Sequence, residues 1–183
     1  MAQSEVVISD CKPATFWMTG LPGSGKSTLA TALTNNLLAS GMRCCVLDGD
    51  VMRQGLCRDL GFSAEDRREN IRRVAEVARL LNDAGVIVVT ALISPAQEDR
   101  AMAKEIIGQQ DFVEVHVATP LAVCEARDPK GLYKRARSGQ LANLTGVGSV
   151  YEVPLAPALA INTDEVAIAD AVARMLAVIS KRG

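Results

Sequence analysis

The run Gly20-Leu21-Pro22-Gly23-Ser24-Gly25-Lys26-Ser27 has the spacing G-x-x-x-x-G-K-S/T. An apolar run, Thr15–Thr19, precedes it and a helix-forming stretch follows, which is the context that spacing requires. Glycines so placed let backbone N–H groups turn inward and cradle phosphate oxygens. The N-terminus of the next helix adds its positive dipole end. Lys26 is then expected on the β- and γ-phosphates, with the Ser27 hydroxyl on Mg²⁺. These eight residues with Thr28 form the expected ATP-binding set, and Ser27 is the expected metal ligand. A phosphate loop alone does not separate motor, GTPase and kinase.

Acidic residues narrow the choice. The apolar run Val86–Ala91 continues into Leu92-Ile93-Ser94-Pro95 without an acid, so a Walker-B aspartate is missing from its usual place. The acids nearest the end of a strand are Asp48 and Asp50, in Leu47-Asp48-Gly49-Asp50. There they can meet Mg²⁺ or deprotonate an acceptor hydroxyl, as in a small-molecule or nucleotide kinase. Asp-Gly-Asp also makes a good turn and helix cap, and that reading stays open. Phosphoryl transfer needs cations around the moving group. Two clusters supply them: Arg53, Arg58, Arg67, Arg68, Arg72 and Arg73, then Arg127, Lys130, Lys134, Arg135 and Arg137. Arg72 and Arg73 can equally pair with Glu69 and Glu76 on their own helix. Phe62 stands outside any apolar run, where it either stacks on a base or staples the start of the next helix.

Strands are expected at Thr15–Thr19, Arg43–Leu47, Val86–Ala91, Phe112–Val117 and Ala158–Ile161. Helices are expected at Gly25–Ser40, Ser63–Ala84, Pro95–Gln109, Leu121–Arg127 and Asp164–Lys181. The alternation predicts an α/β, three-layer fold: a mostly parallel five-stranded sheet with helices on both faces. Asp48–Asp66 and Asp128–Pro154 do not read as core elements. The second, basic and then rich in Gly, Ser and Asn, is expected to form a mobile lid over ATP. The whole chain, 183 residues, reads as one domain.

Net charge is −1, so no global positive field recruits nucleic acid or an anionic membrane. The first 15 residues lack the basic and apolar regions of a signal peptide, and a cytoplasmic location is expected. The five cysteines, Cys11, Cys44, Cys45, Cys57 and Cys124, are expected as reduced thiols. With His116 as the single histidine, no zinc site is expected.

Several uncommon runs resemble adenylyl-sulfate (APS) kinase. They are Asp48-Gly49-Asp50 with Arg53, Asp59-Leu60-Gly61-Phe62-Ser63, Glu69-Asn70-Ile71-Arg72-Arg73, Ile93-Ser94-Pro95 with Asp99-Arg100, and Arg127-Asp128-Pro129-Lys130-Gly131-Leu132-Tyr133. The resemblance implies a P-loop kinase that moves the ATP γ-phosphoryl to the 3′-hydroxyl of APS, giving 3′-phosphoadenylyl sulfate (PAPS) and ADP. It places Asp50 beside the acceptor hydroxyl, with Asp48 in support and Ser94 also in the catalytic set. Arg53, Arg67 and Asn70 would hold the phosphosulfate and ribose, and Phe62 would stack on adenine. Ile93 and Ser94 would line the pocket, Lys130 and Leu132 would belong to the lid, and Arg127 would lie near the ATP base. The Ser94 position has been described as a phosphoserine site in the family, although direct in-line transfer needs no covalent intermediate. Val51, Ala96-Gln97, Leu144, Gly148 and Val150 differ from the family pattern, with Leu144 replacing a second aromatic over the acceptor base. Two other readings follow from those differences: a kinase for a different nucleotide conjugate, or a nucleotide-binding domain without transfer. The resemblance further implies a homodimer and a separate ATP sulfurylase to make the acceptor.

Overall fold

Short apolar runs become the strands of one sheet because both their faces are covered. The computed structural model describes residues 12–180, so the N-terminal reading up to residue 11, Cys11 and Lys181 lie outside the described residues. The strands are β1 (Thr15–Thr19), β2 (Cys44–Asp48), β3 (Ile87–Ala91), β4 (Phe112–Val117) and β5 (Leu159–Ile161). The helices are α1 (Lys26–Ala39), α2 (Gly49–Gln54), α3 (Ala64–Asp83), α4 (Gln97–Ile107), α5 (Leu121–Arg127), α6 (Leu132–Arg137) and α7 (Ile168–Ser180). All strands are parallel, in the order β2-β3-β1-β4-β5.

β1 lies at the centre, with Phe16 level with Val89 on one side and Val113 on the other. Successive side chains of a strand point to opposite faces. Phe16 and Met18 therefore pack with Leu29 and Leu33 of α1 and Met175 of α7. Trp17 turns the other way, among Ile71, Val74 and Ala78 of α3 and Ala103 of α4. Every residue of β1 is buried, which is why the strand has no polar alternation. α3 begins at Ser63, whose hydroxyl caps the Asp66 N–H at 3.1 Å, and buries one apolar stripe.

The two stretches expected to lie outside the core each contain a short helix. α2 buries none of its six residues, and α6 buries only Tyr133, so neither carries an apolar stripe to read. The second strand runs one residue later than expected because Asp48 pairs with Ala91. The connection from β1 runs past β3 to β2 on one side, and the connection from β3 crosses back over β1 to β4 on the other. That switch opens a crevice beyond the carboxyl ends of the strands.

Candidate active site

The crevice is a cleft of about 840 Å³, floored by the loop between β1 and α1. A Cβ on Gly20 would stand 2.6 Å from the Val117 carbonyl oxygen, so no larger residue fits there. Gly25 has φ +101° and packs its Cα side against Thr163. Side chains from distant parts of the chain hold the loop carbonyls. Thr119 and Thr163 hydroxyls donate to Ser24 O at 3.0 and 2.9 Å. The Tyr133 hydroxyl donates to Pro22 O at 2.9 Å. Lys26 Nζ donates to Gly20 O at 2.9 Å and Leu21 O at 2.7 Å. The first N–H groups of α1 have no acceptor within their own helix, which leaves a cradle for an anion. Lys26 is buried, and burial lowers its ammonium pKa to about 8.

Asp48 ends β2 and caps α2. One carboxylate oxygen accepts the Asp50 N–H at 2.9 Å, and the other accepts the Ser27 hydroxyl at 2.6 Å. The cap reading and the site reading therefore both hold for this residue. Asp50, in the first turn of α2, forms an ion pair with Lys130 across the cleft. The Ser27 hydroxyl and Asp48 carboxylate are hard oxygen donors that fit Mg²⁺, which takes few protein ligands and keeps phosphate and water oxygens. Among the described residues, no group of three or more His, Cys, Asp or Glu side chains is placed to hold a metal ion.

The side of the cleft formed by α2 and α3 gathers Arg53, Phe62, Arg67 and Asn70. The turn carrying Phe62 is pinned by three arginines. Arg53 donates to Gly61 O at 2.7 Å, Arg67 to Phe62 O at 3.0 Å, and Arg73 to both carboxylate oxygens of Asp59. Phe62 is 68% exposed and carries the Arg53 guanidinium 4.4 Å from its ring centroid. It does not staple α3; its ring stands at the cleft. Arg67 also donates to Thr145 Oγ1 at 2.7 Å and Asn143 O at 2.8 Å, bringing the 143–149 turn against the same space. Asn70 is 3% exposed, and its Nδ2 is the one buried side-chain polar atom without a hydrogen-bond partner among the described residues. Leaving a buried donor unpaired costs about 1–3 kcal/mol, which marks a place for a ligand acceptor.

Ile93, Ser94, Lys130, Leu132 and Leu144 line the same cleft. Leu144 is also packed with Cys124 and Tyr133. Near the phosphate loop, Thr28 and Arg127 line it, and Arg127 donates to Thr163 Oγ1 at 2.7 Å. Gly20, Leu21 and Ser24 do not line the cleft; they shape the loop from behind. Arg72 and Arg73 pair with Glu69 and hold its pKa down at about 2. Tyr133, Thr119, Thr163 and Arg100 were not among the expected site residues. For the two threonines a signal existed, a hydroxyl just beyond the end of β4 and of β5.

Among the described residues, no helix is long and apolar enough to cross a membrane. Cys44, Cys45, Cys57 and Cys124 are free thiols. Burial raises the pKa of Cys44, Cys57 and Cys124.

The family model for adenylylsulphate kinase matches residues 12–162. An adenylyl-sulfate kinase from Shewanella amazonensis is 53% identical over 163 residues, 89% of this chain and 82% of its own. One from Yersinia pestis is 61% identical over 142 residues, 78% of this chain and 67% of its own. The structure of the Mycobacterium tuberculosis APS kinase in complex with AMPPNP and APS matches with a TM-score of 0.89 at 43% identity, over 92% of this chain and 98% of that one. With the family match running from ahead of β1 to just past β5, and relatives of that name more than half identical, the chain belongs to the adenylyl-sulfate kinase family.

Proposed function

We propose that the protein transfers the γ-phosphoryl group of ATP to the 3′-hydroxyl of APS, releasing ADP and PAPS. The observation that carries this reading is the single cleft in which a phosphate loop faces an arginine-rich space bearing Phe62 and the unpaired Asn70 amide. ATP is held by Gly23, Gly25, Lys26, Ser27 and Thr28, with Pro22 beside them and Arg127 toward the base. Ser27 and Asp48 would hold Mg²⁺, which neutralises phosphate charge when bound. Lys26 offers its ammonium to the transferring group, exchanging loop carbonyls for phosphate oxygens. Asp50 takes the proton of the acceptor hydroxyl as the new P–O bond forms and the bond to the ADP oxygen breaks. Asp48 fixes Asp50 by holding its N–H. Arg53, Arg67 and Asn70 orient the phosphosulfate and ribose. Phe62 stacks on the base, with Leu144 as the apolar opposite wall. Ile93 and Ser94 complete that pocket, and Ser94 is read as a wall residue.

The same reading makes residues 1–183 one catalytic unit, with 128–154 as the lid that carries Lys130 and Leu132. It includes the family's homodimeric assembly, a cytoplasmic setting and a separate sulfurylase as the source of APS. The test is ADP release by purified protein with MgATP, with and without APS, and PAPS identified by mass spectrometry. APS-dependent ADP with matching PAPS supports the reading. ATP binding without any APS response overturns it in favour of another acceptor, to be sought among other nucleotide conjugates.

A further inference from the structure

Ser94 lines the acceptor side of the cleft with φ +42°, in the left-handed region that non-glycine residues seldom enter. A strained residue persists only where its surroundings over-determine it. Three donors do so here. Trp17 Nε1 donates to Ser94 Oγ at 3.2 Å, and Thr19 Oγ1 donates to Ser94 O at 3.2 Å and to Ile93 O at 2.7 Å. The third is Arg100 Nη1, which reaches Ser94 O at 2.7 Å.

Arg100 comes from α4, is itself buried, and does not line the cleft. Its guanidinium joins three separate parts of the fold. Nε donates to Glu114 of β4 at 2.9 Å, which answers its buried charge. Nη1 takes the Ser94 carbonyl, and Nη2 takes the Glu152 carbonyl at 2.7 Å. Glu152 returns the connection: its N–H donates to Pro95 O at 2.9 Å, and its carboxylate accepts the Gln97 N–H at 2.7 Å. Tyr151, beside it, shares a hydroxyl contact of 2.9 Å with Thr19. A planar fork fixes the relative direction of several acceptors, which a lysine ammonium does not.

We propose that Arg100 is a positioning residue for the acceptor. It holds the Ile93-Ser94-Pro95 wall in its strained form and locks that wall to residues 151–153. Those residues end the segment whose turn, 143–149, Arg67 brings to the opposite side of the acceptor space. Arg100 thus sets acceptor affinity without touching the acceptor. The proposal rests on the reading that this side of the cleft receives APS.

The test uses Arg100→Lys in the full chain. Trp17 is the chain's one tryptophan, fully buried, and donates to Ser94, so its emission reports on the wall whether or not APS is the acceptor. The expected result is a KM for APS raised about tenfold, a KM for ATP within about twofold, and a red-shifted Trp17 emission with unchanged far-UV circular dichroism. Unchanged emission, or KM values for APS and ATP that rise together, overturns the proposal. If Arg100→Lys does not fold, Glu152→Ala removes the acceptor of the Gln97 N–H and so loosens the same lock at an exposed tie. A KM for APS raised about threefold with ATP unaffected then supports the lock, and no change overturns it. A wild-type protein that ignores APS refutes the acceptor reading instead, and Trp17 emission alone then decides whether Arg100 holds the wall.

Discussion

Tyr133→Phe removes one oxygen atom from the least exposed point of contact between α6 and the phosphate loop. The Tyr133 side chain is 1% exposed, and its hydroxyl donates to Pro22 O at 2.9 Å. Burial raises the phenol's pKa, so the hydroxyl is a donor throughout the working range. Phenylalanine keeps the ring packed against Cys124 and Leu144, so no large cavity opens. What is lost is the partner of a buried carbonyl, worth about 1–3 kcal/mol. If that loss appears as freedom in the Pro22–Gly23 peptide, ATP must reorder the loop, and its affinity falls by roughly 5- to 150-fold. If it appears only in folding, ATP affinity stays put and the unfolding midpoint drops. Urea unfolding and ATP titration calorimetry on the same two preparations separate the cases. The expected outcome is ATP affinity weakened at least about fivefold, with kcat at saturating ATP changed about twofold or less. A variant destabilised by more than about 1 kcal/mol that binds ATP within about twofold of wild type would refute the claim that Tyr133 shapes the loop.

Lys26→Ala should lower kcat by about 10²–10³ or more, since the ammonium on the transferring phosphate is gone; near-normal turnover in a coupled ADP assay would remove Lys26 from the transfer step. Asp50→Asn should lower kcat by about 10²–10⁴ while ATP titration stays nearly unchanged; loss of ATP binding instead would make Asp50 a metal or structural residue. The Glu69 pKa is lowered from 4.5 to about 2 by hydrogen bonds from Arg72 and Arg73. Its contribution to stability is therefore complete above pH 4.5 and is lost as pH falls toward 2. Melting curves of wild type and Glu69→Gln should converge over that window, and parallel curves would show that these pairs do not support α3.

The central part of the fold was legible because it is written in local patterns. Thr15–Thr19 matches β1 residue for residue, and the α3 stripe of Ile71, Val74, Ala75 and Ala78 follows from its spacing. The phosphate loop was legible because its glycines and lysine are contiguous. α2 was missed because all its residues reach solvent, and its start depends on Asp48, which the strand already claims. The role of Tyr133 was missed because its partner, Pro22, lies 111 positions away in the chain, and a hydrogen bond between remote residues leaves no periodic trace. Arg100 was hidden for the same reason: Ser94, Glu114 and Glu152 meet only in three dimensions. Phe62 shows the opposite case. Its isolation among polar residues left two readings; the Arg53 contact and its exposure put the ring at the cleft surface, and stacking on a base is part of the proposed function.

The placement of β1 at the centre of the sheet has a consequence for how the protein is born. Among the described strands β1 is made first, yet its neighbours β3 and β4 come much later in the chain. Closing such distant pairings is slow, and it exposes apolar edges until the partners arrive. The phosphate loop hangs from β1, and the Ser24 carbonyl waits for Thr119 and, later still, Thr163. A nascent chain halted before β5 therefore carries the whole nucleotide-binding motif and the Thr119 and Tyr133 ties, but lacks the Thr163 tie that completes the loop's support. In a cell, ATP can reward the fully braced loop only after Thr163 has left the ribosome.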